Sequence, residues 1–146
     1  MMNLFENLQL MKEAEENSYD PNNYIWDGKS EVPKDVVSVT IKDEVTKIGE
    51  FAFYDCESLQ KVNIPNSVTE IRIAAFNECK SLQNINIPNS VTEIGDYAFE
   101  YCKSLQKVNI SNTKIKIGEG AFSKCPNVKV YKNGKSNDHD NTDDNL

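Results

Sequence analysis

Histidine is nearly absent from this chain: its one copy, His139, lies in the polar run KNGKSNDHDNTDDNL that closes the sequence. That scarcity removes most nucleophilic and acid–base chemistry, because neither a Ser-His-Asp nor a Cys-His arrangement can be assembled in the rest of the chain. Cys-x-x-Cys pairs are missing too, which argues against zinc. The six glycines are isolated, so no glycine-rich phosphate loop exists. No apolar run approaches the roughly 18–20 residues that cross a bilayer. The stretch Met1–Glu16 lacks the basic start and unbroken apolar segment of a secretory leader. Membrane insertion is not expected, and the expected location is the cytoplasm.

A basic cluster is also lacking. The net charge is −7, from 16 Lys and Arg against 23 Asp and Glu. Divided by region, residues 1–38 carry 3 against 8, residues 39–130 carry 11 against 11, and residues 131–146 carry 2 against 4. The acidity therefore belongs to the ends, and the neutral centre argues against nucleic acid as a partner. Apolar residues make up only 38%, thin for one compact core. A stack of small turns suits this composition better, because each turn needs only a few inward side chains.

Four segments of 23 residues align without a gap: VTIKDEVTKIGEFAFYDCESLQK from Val39, VNIPNSVTEIRIAAFNECKSLQN from Val62, INIPNSVTEIGDYAFEYCKSLQK from Ile85 and VNISNTKIKIGEGAFSKCPNVKV from Val108. Each opens on a short alternation, Leu59-x-x-Val62-x-Ile64 and its equivalents, which is the pattern of a half-buried strand. Val36-x-x-Val39-x-Ile41 and Val128 to Tyr131 extend the series at its two ends. About five parallel strands follow, one per turn, spaced about 4.8 Å apart. Pro65 and Pro88 end two of them by removing a ladder donor. The second half of each turn is Gly-x-x-Ala-Phe-x-x-Cys, where Phe and Cys three apart suit the inward face of a short helical turn. Phe53, Phe76, Phe99 and Phe122 then form one column, and Leu59, Leu82, Leu105 and Val128 another.

The four cysteines, Cys56, Cys79, Cys102 and Cys125, fall at one repeat position. Equal spacing makes them a buried column of small side chains rather than disulfides or a metal site, and a reduced compartment fits. His139, among Asp138, Asp140, Asp143 and Asp144, offers a metal no preformed geometry. No metal, no cofactor and no enzymatic activity are expected; the carboxylates fall on exposed repeat positions rather than as a converging pair.

The repeats resemble the BspA-like subclass of leucine-rich repeats, whose hallmark is a unit of the I-P-x-x-V-T-x-I-G-x-x-A-F-x-x-C-x-x-L type. The resemblance is close over residues 39–130 and loose over 32–38. It implies an α/β leucine-rich-repeat solenoid with the strands on a concave side and short helical turns on the other. It also implies protein or surface recognition, often as adhesion modules.

The ends divide from the repeats. Residues 1–38 read as an N-terminal helix and capping segment: Leu4, Phe5, Leu8 and Met11 recur at helical spacing, and Tyr24, Ile25 and Trp26 help seal the same end of the stack. Residues 131–146 hold the last strand residue and an acidic tail expected to be disordered.

The concave face is the expected docking surface. Its outward positions stack Lys61, Asn84 and Lys107 in one column and Asn63, Asn86 and Asn109 in the next, following Ser38 and Thr40. Lys47, Glu70, Glu93 and Lys116 stack opposite charges at both ends of another column, where cross-turn pairing is worth at most about 1 kcal/mol each. Arg72 replaces the glycine of Gly49, Gly95 and Gly118, with Ile73 in place of an acidic residue. If those glycines sit at positive φ, an arginine there is strained; Arg72 and Ile73 are secondary candidates for a partner contact. The function this supports is a monomeric protein–protein interaction module with another protein as partner. A small inhibitor of an intracellular host or phage-defence enzyme and a cell-surface adhesin are the alternatives.

Overall fold

The computed structural model describes residues 1–16, 18–133 and 135–136. The expectation of a disordered acidic tail falls, from residue 137 onward and with His139, outside the described residues.

The period-2 stretches form strands in register. β1 (Tyr24–Trp26), β2 (Ser38–Ile41), β4 (Lys61–Asn63), β6 (Asn84–Ile87), β8 (Lys107–Ile110) and β10 (Lys129–Lys132) follow one another along one face. Identical repeat positions meet where Val39 pairs with Val62 and Ile85 with Val108, while Val108 pairs with Val130, one residue short of the 23-residue period, all parallel. Their inward side chains, from Val39 to Val130, are buried. The expected five strands are present, and β1 adds a sixth by pairing parallel with β2.

A second sheet accompanies them. β3 (Lys47–Ile48), β5 (Glu70–Ile71), β7 (Glu93–Ile94) and β9 (Lys116–Ile117) pair in that order, all parallel. Each is two residues long, with one isoleucine turned inward, too short for alternation to reveal.

The rest of each repeat is not helical, which corrects the expected short helical turns. Two positions per repeat stand in the left-handed region: Phe51, Ala74, Tyr97 and Gly120 at φ 55 to 62°, and Asp55, Glu78, Tyr101 and Lys124 at φ 61 to 63°. A left-handed residue every fourth position prevents a right-handed helix. It also turns alternate N–H groups toward the next repeat. Phe53 N–H donates to Ala75 O, Phe76 N–H to Ala98 O and Phe99 N–H to Ala121 O, each at 2.7 Å. The turns are thus stitched by a β-like ladder on this side as well.

Between the two sides lies the phenylalanine column. Successive rings of Phe53, Phe76, Phe99 and Phe122 lie 5.0, 5.0 and 5.3 Å apart and within 3 to 11° of parallel. A 5.0 Å spacing of parallel rings is an offset stack, the arrangement the ring quadrupole favours, worth about 0.5–1.5 kcal/mol per pair beyond area burial. Trp26 closes the column edge-on, 5.0 Å from Phe53, with its indole N–H donated to Ser30 O at 2.8 Å. The loop beside it is fixed by Asp27, whose carboxylate accepts from the N–H groups of Ser30 and Lys29 and from the Ser30 hydroxyl. Those bonds hold its pKa at about 2.

The N-terminal helix α1 (Leu4–Glu16) is present, capped by Asn3, whose side chain accepts the Glu6 N–H at 2.8 Å. Among the described residues Leu4, Phe5, Leu8 and Met11 are exposed and α1 makes no contact with the strands, so the expected capping contact is not seen. The end of the stack is already closed by β1 and Trp26, so α1 finds no apolar surface there. At the other end, β11 (Lys135–Ser136) folds back antiparallel on β10. Part of the tail expected to be disordered therefore continues the sheet. Asn133 at φ 53°, followed in sequence by glycine, is the Asn-Gly signal of a tight hairpin.

Candidate binding surface

The strand face is built by register. Lys61 lies beside Ser38 and Asn63 beside Thr40; Asn84 lies beside Lys107 and Asn86 beside Asn109. Because side chains alternate across a strand, the buried Val62, Ile85 and Val108 oblige these neighbours to point outward. Lys61, Asn63, Asn84, Asn86 and Lys107 are exposed, and Asn109 is half-buried. Asn109 donates its side-chain amide to Asn86 at 2.7 Å, a rung of an amide ladder. The next turn adds two residues that the sequence reading did not include. Lys129 pairs beside Lys107, and Tyr131 beside Asn109, so that the Lys107 ammonium lies 5.3 Å from the Tyr131 ring centre. Gln60, Gln83 and Gln106 precede the strands at one repeat position and extend the amide surface; their shared column was the available signal.

Within the neutral repeats, charge divides by face. The outward positions of β2, β4, β6, β8 and β10 hold Lys61, Lys107 and Lys129 and no carboxylate. Most acids of the repeats sit on the turn side instead: Glu50, Asp55, Glu57, Glu78, Asp96, Glu100 and Glu119. There, Lys80 reaches Glu57 at 3.4 Å and Glu78 at 3.5 Å. The edge column keeps one of its expected pairs, Lys47 with Glu70 at 3.8 Å. Among the described residues Glu93 and Lys116 form no ion pair. The turn side also exposes Phe51, Tyr54, Ile73, Tyr97 and Tyr101. Phe51 and Tyr54 meet edge-on at 5.8 Å, and Tyr97 donates its hydroxyl to Glu119 at 3.3 Å.

Arg72 is not held in a left-handed conformation, and neither are Gly49, Gly95 and Gly118. The glycine at this position answers to space. A Cβ on Gly95 would lie 2.7 Å from Ile73 N and 2.8 Å from Arg72 C, and one on Gly118 2.6 Å from Asp96 N. Turn packs on turn there through bare backbone. Arg72 admits its Cβ while keeping the cross-turn bond to Ile48 O at 2.9 Å, against 2.7 Å for Gly95 and 2.8 Å for Gly118. Its guanidinium bonds Glu70 at 3.1 Å, and Ile73 beside it is exposed.

The cysteine column is structural. The thiols of Cys79, Cys102 and Cys125 donate to the carbonyls of Phe53, Phe76 and Phe99, each at 3.1 Å, tying each turn to the one before. Burial pushes the Cys56 thiol up to about 11 and the Cys79 thiol higher still. Cys102, hydrogen-bonded with the Cys125 thiol and buried, is raised as well, while the same contact lowers Cys125. All four are free. Among the described residues no group of His, Cys, Asp or Glu is placed to hold a metal ion, and no helix is long and apolar enough to cross a membrane.

The family model for the BspA-type leucine-rich repeat region matches residues 33–139, with six copies of its unit. The chain belongs to that family. Among solved structures, a leucine-rich cell surface protein from Faecalibacterium prausnitzii is 36% identical over 66% of the chain, with a TM-score of 0.63. The leucine-rich repeat protein of T. pallidum is 29% identical over 77%, with a TM-score of 0.66, and one from Bacteroides ovatus is 27% identical over 76%, with a TM-score of 0.63. The chain spans 26%, 59% and 29% of those three proteins. No curated protein matches it in sequence. The solved structures it resembles are bacterial leucine-rich repeat proteins, and repeats of this family serve in general as interaction or surface modules.

Proposed function

We propose that this BspA-type solenoid is a non-catalytic recognition module that holds a partner protein against its strand face. One observation carries the reading: the outward strand positions hold lysines and asparagines in register, with no carboxylate among them. Lys61 and Lys107 supply charge, while Asn63, Asn84, Asn86 and Asn109 read polar groups by hydrogen bonds. The complementary partner surface is acidic, so binding weakens as salt screens the lysines. The module works as a monomer, and Arg72, engaged by Glu70, contributes little.

The test is capture of partners by the wild type and by the triple variant Lys61→Glu/Asn86→Arg/Lys107→Glu, matched for circular dichroism and melting temperature. A protein retained by the wild type and lost by the folded variant supports the reading. Equal retention by both overturns it and moves the interaction to the turn-side aromatics or α1.

A second reading, a cell-surface adhesin, is favoured by the likeness to the F. prausnitzii cell surface protein. Fractionation of the source cells separates the two settings: an adhesin is recovered with the surface, a module for internal partners with the soluble fraction.

A further inference from the structure

The strand face is one face but not one sheet. β1, β2 and β4 form one leaf, and β6, β8, β10 and β11 another; β4 and β6 lie side by side with no ladder pairing between them. At the entry to each strand, a backbone bond elsewhere joins one turn to the previous one. Gln60 N–H donates to Val37 O at 2.8 Å, Gln106 N–H to Gln83 O at 2.8 Å and Lys129 N–H to Gln106 O at 2.9 Å. Among the described residues, the equivalent bond from Gln83 to Gln60 is missing. A cleft of about 390 Å³ opens instead, with Gln60 to Asn63 on one lip and Gln83 to Asn86 on the other. Ile64, which follows Asn63 in the chain, is half-buried, whereas Ile41, Ile87 and Ile110 at the same repeat position are buried.

The break is confined to this face. The same two turns stay joined on the opposite side by Ala74 N–H to Asp96 O, Phe76 N–H to Ala98 O and Glu78 N–H to Glu100 O, at 2.7 to 3.0 Å. They also keep the β5–β7 pairing and the 5.0 Å stack of Phe76 on Phe99. The two leaves therefore share a hinge along their turn side.

From this geometry we infer that the seam between β4 and β6 receives an extended acidic peptide segment of a partner, inserted as an additional strand. The inference deepens the strand-face reading and rests on it. Facing strand edges carry backbone donors and acceptors that demand partners, and an extended main chain is the ligand that matches both rows at once. Room for it means separating the lips to about twice the normal strand spacing, roughly 9.6 Å, a movement the turn-side hinge allows. Side chains of the inserted strand alternate. Those turned inward meet Val62 and Ile85 and must be small and apolar. Those turned outward lie beside Lys61, with Lys107 further along the face and no carboxylate at the outward positions of β2, β4, β6, β8 and β10, so they are acidic.

The probe is a capped seven-residue peptide alternating valine and aspartate, with fluorescence anisotropy as the assay. The full chain is expected to bind it, and the same peptide with methylated valine amides is expected to bind at least about tenfold more weakly, the cost of hydrogen bonds left unmade. Asn63→Cys/Asn86→Cys places one thiol on each lip. Its oxidised form, closed across the seam, should lose the peptide, and reduction should restore it. Amide exchange gives a reading on the unaltered protein: Gln83 N–H exchanges faster than those of Gln60 and Gln106, and the peptide slows it. Absence of binding, equal binding of the methylated peptide, or Gln83 protected like Gln60 in the free protein overturns the inference. Binding that survives closure of the seam but is lost in Lys61→Glu/Asn86→Arg/Lys107→Glu overturns the seam and leaves the strand face standing.

Discussion

Gly49 and Gly95 occupy the same repeat position, and replacing each by alanine separates two explanations of why glycine stands there. A Cβ on Gly95 would lie 2.7 Å from Ile73 N and 2.8 Å from Arg72 C, whereas one on Gly49 would meet nothing within 4 Å. Both obstacles at Gly95 are backbone, so the turns themselves must part, and overpacking of this kind costs about 1–3 kcal/mol. Arg72 shows the form of the relief, its cross-turn bond being 2.9 Å against 2.7 Å at Gly95. Turn 3 has less freedom to follow, since Gly118 of turn 4 packs on Gly95 and Asp96 in turn. Gly95→Ala is therefore expected to lower the urea midpoint by about 0.5–1.5 M, taking a slope near 2 kcal/mol per M. Gly49→Ala loses nothing in the folded state and restricts the unfolded chain, a gain of about 0.4–1 kcal/mol. Equilibrium urea denaturation of both variants by circular dichroism reads the difference. Equal destabilisation, or a larger loss at Gly49, refutes the close-approach explanation.

Phe76→Ala, in the ring column with a neighbour on each side, should cost about 3–5 kcal/mol in the same titration; a loss below 1 kcal/mol would mean that the offset stack is not part of the core. Removing residues 1–16 should leave the melting temperature unchanged, because α1 touches no strand, while Trp26→Ala, which uncaps Phe53, should lower it; the reverse pattern would restore α1 as the cap. The Cys56, Cys79 and Cys102 thiols titrate higher in the folded chain than in the unfolded one. Their contribution is therefore complete below about pH 8.5 and is lost as pH rises from there toward the folded values, about 11 for Cys56, at up to about 1.4 kcal/mol per pH unit for each thiol. Urea midpoints measured from pH 7 to 11 should fall over that window, and a flat profile would show the thiols to be unburied.

The residues that repeat were the legible ones. Val62, Ile85 and Val108, the phenylalanines and the cysteines recur every 23 positions, and burial of apolar columns follows from that period alone. Outward positions of the strands were legible for the same reason, since alternation fixes Lys61 and Asn63 opposite Val62. The left-handed turns were not: Phe51, Ala74, Tyr97 and Tyr101 are residues that avoid positive φ, so nothing in their identity announces it. An Ala-Phe-x-x-Cys spacing then reads as a helical face. The two-residue strands of the second sheet are shorter than any periodicity. Docking of α1 was inferred from its apolar spacing, but amphipathicity says only that a helix has an apolar side, not that a surface is free to receive it. The seam between β4 and β6 has no sequence mark at all, because VNIPNSVTEI and INIPNSVTEI differ at one position and each lip resembles its intact neighbours.

Hydrogen exchange on the purified complex with a captured partner tests the choice of face most directly. Slowed exchange over 60–63, 83–86 and 106–109, with 51–55 and 97–101 unchanged, is the expected result. Protection confined to 51–55 and 97–101, with the strand segments exchanging as in the free protein, would contradict it and place recognition on the turn side.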